Sequence, residues 1–110
     1  MAFTRDDTES ICREIRDDIN NLESAINGLN DKISNAREIA ALAENLLIDL
    51  RVTLNSSNNP EFRRQIRSEI IATERTRDSA RQKLFRFEAA HEGLSRQLGS
   101  LRGRASANGC

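Results

Sequence analysis

The chain has 110 residues, 37% of them hydrophobic and 31% charged, with no Trp or Tyr, a balance that excludes a large globular core and matches exposed helices that associate with other helices. Its two cysteines, Cys12 and Cys110, belong to no Cys-x-x-Cys pair and no Cys/His metal spacing, so a disulfide scaffold is not expected. The formal net charge is zero, yet residues 1–55 carry six bases against eleven acids and residues 56–110 carry eleven against six, so the two halves read as electrostatic complements that lie against each other.

A first helix is predicted over residues 5–54. Thr4 suits its N-cap, and Asp6, Asp7 and Glu9 suit the positive end of the helix dipole. From Cys12 onward the apolar residues alternate three and four apart: Cys12, Ile15, Ile19, Leu22, Ile26, Leu29, Ile33, Ala36, Ala40, Ala43, Leu47, Leu50 and Leu54. That is a heptad seam, the pattern with which one helix packs along another. A polar loop follows over residues 55–59 and ends at the only proline, Pro60. Asn55 reads as a left-handed residue closing the first helix, and Asn59 as the cap of a second.

The second helix is predicted over residues 60–101, with a seam of Ile66, Ile70, Thr73, Arg77, Ala80, Leu84, Phe87, His91, Leu94, Leu98 and Leu101. Residues 102–110 are small and polar and read as a flexible tail in which Cys110 has no evident role. A loop this short joins antiparallel neighbours. The expected fold is therefore all-α, an antiparallel two-helix hairpin of coiled-coil type, in a single domain over residues 1–101. In that register Leu50 faces Ile66, Leu47 faces Ile70 and Ala36 faces Ala80. Arg77 is a polar fault in the seam and is expected to reach Glu44 or Glu74.

Further apolar residues gather outside the seam near the loop: Ile39, Leu42, Leu46, Ile48 and Val52 on the first helix, Phe62 and Ile71 on the second. A two-helix hairpin covers one stripe per helix. Leaving a second stripe in water forgoes several kcal/mol at about 25 cal/mol per Å². The expectation is that this face is buried against a second copy, giving a four-helix bundle, or against another helical protein. In a competing arrangement the first helix pairs in parallel, over Ile19 to Ile33, with the same helix of another chain, which sets Cys12 beside its counterpart.

Signatures of catalysis are missing from the sequence: there is no Gly-rich phosphate loop, no Gly-x-Ser-x-Gly elbow and no His-Glu-x-x-His. No enzyme, cofactor or small-molecule substrate is expected, and Cys12 reads as a core thiol. Glu88 and His91 have the Glu-x-x-His spacing of di-iron four-helix proteins. The facing residues Ala25, Ile26 and Leu29 are apolar and Glu23 is the nearest acid, so metal binding is a remote alternative. Arg63, Arg64, Arg67 and Arg75 make a nucleic-acid-binding hairpin dimer the principal alternative. The interleaved Glu61, Glu69, Glu74 and Asp78 favour a solvated, salt-bridged face instead. No stretch approaches the roughly 20 apolar residues of a membrane span. The opening Met-Ala-Phe-Thr-Arg-Asp-Asp has acids where a signal peptide has bases, which points to the cytoplasm. The function expected is that of a non-enzymatic interaction or assembly module, structural, adaptor or chaperone-like, acting through helix packing.

Overall fold

In the computed structural model, which describes residues 5–110, the chain forms two helices, α1 (Arg5–Ser56) and α2 (Pro60–Ala107). Thr4, expected to cap α1, lies outside the described residues. The helices pack against each other within two compact units. Unit 1 combines the first part of α1, up to Asp31, with Glu88–Cys110; unit 2 is Lys32–Phe87 and includes the loop.

The start of α2 follows from three adjacent residues. Asn59 Oδ1 accepts the backbone N–H groups of Glu61 at 3.0 Å and Phe62 at 3.1 Å, and the Asn59 carbonyl accepts the N–H of Arg63 at 2.9 Å. Pro60 has no N–H to satisfy and its ring presets a helical φ. The end of α1 departs from the sequence reading. Asn55 stays helical, and among the described residues only a glycine takes positive φ. Carbonyls at the end of α1 and in the loop are met instead from the other helix. The Arg63 guanidinium donates to the Leu54 carbonyl, and to that of Ser57 at 2.9 Å. A cation at a helix C-terminus also complements the helix dipole.

A second departure lies at residues 102–110. In place of a flexible tail, α2 continues through Ala107 and ends in a Schellman motif. Gly109 sits at φ +72°, its N–H donates to the Ser106 carbonyl at 3.2 Å, and the Cys110 N–H donates to the Ala105 carbonyl at 2.8 Å. This turn reverses the chain and delivers Cys110 to Cys12. The two form a disulfide with Cα atoms 5.6 Å apart and a separation of 98 positions in sequence. The expectation of two unrelated thiols is thereby corrected. Residue spacing carries no information about a partner brought close by the fold. The same bond leaves no Cys12 thiol to stand beside its counterpart, the contact that the parallel arrangement would make.

In unit 2 the core cluster consists of Leu47, Leu50, Ile66 and Ile70, with Leu54 packed against it. Leu47 is its most buried member at 1% exposure. Ile33, Ala36, Ala40, Ala43 and Ala80 are also buried, and the small alanines let the two backbones approach. Among the described residues of unit 1 only Ile15 and Leu98 are fully buried, while Ile19, Leu22, Ile26, Leu29, His91 and Leu94 are half-buried. No polar or charged residue is buried among those described.

Candidate interaction surface

The two flanks of the seam in unit 2 differ in chemistry. On one flank the helices are linked by ions. Arg81 pairs with Glu44, and Arg51 lies 3.8 Å from Glu74. Arg77, expected to reach one or other of these acids, instead pairs with its neighbour Asp78 at 3.1 Å. Arg81 and Arg51 lie on the solvent edge where Glu44 and Glu74 point, whereas Arg77 emerges from the seam itself. In unit 1 Arg102 reaches Glu23 at 3.2 Å from the same heptad positions.

On the opposite flank there is a groove. Ile39, Leu42, Ala43 and Leu46 of α1 and Ala72, Thr73 and Thr76 of α2 line one concavity. Ile39 and Thr76 also line the next, with Lys32, Asn35, Arg75, Ser79, Lys83 and Phe87, so the two are continuous. Exposure of Ile39, Leu42 and Leu46 is 39%, 62% and 48%. Among the described residues no carboxylate lines either stretch. Lys32 lies over the Phe87 ring, 5.8 Å from its centroid, which leaves its charge at the basic end of the groove.

Compared with family models, curated proteins and solved structures, the chain matches none.

All seven apolar residues singled out near the loop are exposed, but they do not form one face. Heptad phase puts Phe62, seven residues before Glu69 and fourteen before Thr76, on the groove flank with Ile39, Leu42 and Leu46. Ile48 and Val52, one turn apart, lie on the outer side of α1, and Ile71 lies on the outer side of α2. Phe85, the most exposed large apolar residue among those described at 76%, shares the heptad position of Ile71. Sequence reasoning passed over it because its neighbour but one, Phe87, filled the seam. Every exposed large apolar side chain among the described residues belongs to unit 2.

The residues considered for other chemistry are dispersed. Arg63 is committed to the end of α1, and with Arg64, Arg67, Asn58 and Pro60 it lines a shallow concavity beside the loop. Arg75 stands apart from these in the apolar groove. His91 Nδ1 lies 3.5 Å from Ser95 Oγ. No group of three or more His, Cys, Asp or Glu side chains suited to a metal ion occurs among the described residues, and Glu23 is held by Arg102.

Proposed function

We propose that the chain is a non-enzymatic assembly module, with unit 2 as the part that takes on further helices, a second copy completing a four-helix bundle or a helical partner protein taking that place. The observation that carries this reading is the contrast between the flanks of unit 2. One is closed by ion pairs, and the other presents Ile39, Leu42 and Leu46 along a groove floored by the small residues Ala72, Thr73 and Thr76. Such a strip is what an incoming helix needs: apolar knobs beside small residues that admit a close backbone.

Light scattering on size-separated protein tests it. The wild type is expected to have twice the chain mass. The Leu42→Asp/Leu46→Asp variant should fall to monomer with its helical circular dichroism intact, because both positions are exposed in the single chain. A monomeric wild type that also binds no helical partner refutes the reading.

Nucleic-acid binding is the second reading, favoured by Arg64 and Arg67 beside the loop. Against it, Arg77, Arg81, Arg96 and Arg102 of α2 each hold an acid. A nucleic-acid complex whose affinity falls steeply with salt would put this reading first. No helix among the described residues is long and apolar enough to cross a membrane. The cytoplasm, the location proposed from the sequence, would keep Cys12 and Cys110 as thiols; the disulfide belongs to oxidising surroundings.

A further inference from the structure

Four charges of unit 2 are arranged symmetrically about the apolar strip, with Arg75 of the groove wall lying between them along the chain. On α1, Lys32 lies seven residues before Ile39 and Asp49 seven after Leu42; on α2, Glu69 lies seven before Thr76 and Lys83 seven after it. Seven residues are two helical turns, so all four charges share the groove flank, roughly 10–13 Å on either side of the Ile39–Leu42–Thr76 level. The acids lie toward the loop and the lysines away from it. All four residues are exposed. Among the described residues Asp49, Glu69 and Lys83 make no ion pair, whereas Glu44 and Glu74 on the other flank are both paired.

We propose, resting on the assembly reading above, that a second copy of this chain docks antiparallel on this groove about a two-fold axis running across it at the Ile39–Leu42–Thr76 level. That operation lays α1 on α1 and α2 on α2. Each Leu42 meets the partner copy's Ile39. Lys32 comes to the partner copy's Asp49, and Lys83 to the partner copy's Glu69. On α2 the small side chains of Ala72, Thr76 and Ser79 admit the neighbouring helix. The alternative two-fold, running along the groove, lays α1 on α2 with both loops at the same end. It brings Lys32 against the partner copy's Lys83 and acid against acid. Like charges so juxtaposed select against that orientation.

Charge exchange between two variants of the full chain tests this. Lys32→Glu/Lys83→Glu and Asp49→Lys/Glu69→Lys each place like charges across the proposed interface. Each alone is expected to weaken self-association about tenfold or more in sedimentation equilibrium at low salt. Mixed one to one, the two variants should form a heterodimer of near wild-type affinity, because every facing pair is again opposite in sign. If the variants associate as well as the wild type, or if mixing restores nothing, the orientation is wrong while the assembly reading stands. A wild type that stays monomeric overturns the self-docking, and it overturns the assembly reading as well if it binds no helical partner. Should either double variant lose its helical signal, the single exchange of Lys83→Glu with Glu69→Lys asks the same question on α2 alone.

Discussion

Cys12 and Cys110, 98 positions apart in sequence, are joined by a disulfide, and Gly109 beside Cys110 takes positive φ. Cys110 does not project from a helix. It occupies the second position beyond the helix end, where the Schellman turn sends its backbone back to the Ala105 carbonyl.

Opening this bond should destabilise the fold substantially. Closing so long a loop removes much of the unfolded chain's freedom, worth about 2–5 kcal/mol, and among its described residues unit 1 has only Ile15 and Leu98 fully buried to offset the loss. In thermal unfolding, reduction with dithiothreitol is expected to lower the midpoint on the order of 10 °C. Cys12→Ser/Cys110→Ser should match the reduced protein and no longer respond to reductant. Equal midpoints for oxidised and reduced wild type would contradict this.

Gly109→Ala probes the turn separately from the sulfurs. Beyond its chain neighbours nothing lies within 4 Å of where a Cβ would stand, so the penalty comes from the left-handed backbone. That conformation costs an L-residue about 1–2 kcal/mol. Because the turn brings the thiols together, titration against a glutathione buffer should show the disulfide disfavoured by about tenfold. An unchanged equilibrium would mean that the bond does not need the turn.

Leu47→Ala removes the most buried large side chain of unit 2, where Leu50, Ile66 and Ile70 surround it. A cavity between two helices held by caps and seam closes only in part, and a loss of about 2–5 kcal/mol is expected in urea unfolding. Leu42→Ala, at an exposed site, should change the stability of the single chain by far less, and a comparable loss there under monomeric conditions would show that the groove is already covered.

Asn59→Ala should cost about 1 kcal/mol, because the Glu61 and Phe62 N–H groups lose their shared acceptor. Asn59→Asp keeps that acceptor and should retain stability. If both substitutions are neutral, α2 is started by Pro60 without help from the cap.

The helices were legible in the residues because heptad spacing is a local, repeated signal. Every buried residue, from Ile15 to Leu98, occupies a position of the three-four pattern. The cap at Asn59 was legible for the same reason, since the acceptor and the N–H groups it serves lie within three residues. Complementary halves were also visible in composition, and acids of α1 do meet bases of α2 at Glu23 with Arg102 and Glu44 with Arg81.

Other features were decided only when the helices came together. Arg63 closes α1 from the neighbouring helix, Arg77 loses Glu44 and Glu74 to residues better placed on the flank, and Cys110 finds Cys12 through a turn that composition made look loose. The scattered apolar residues near the loop were likewise sorted by phase, with Ile39, Leu42 and Leu46 in the groove and Ile48, Val52 and Ile71 elsewhere. Periodicity along one chain says which side chains share a stripe. Which donor, sulfur or charge stands opposite that stripe depends on contacts between residues tens of positions apart, and those exist only in the packed structure.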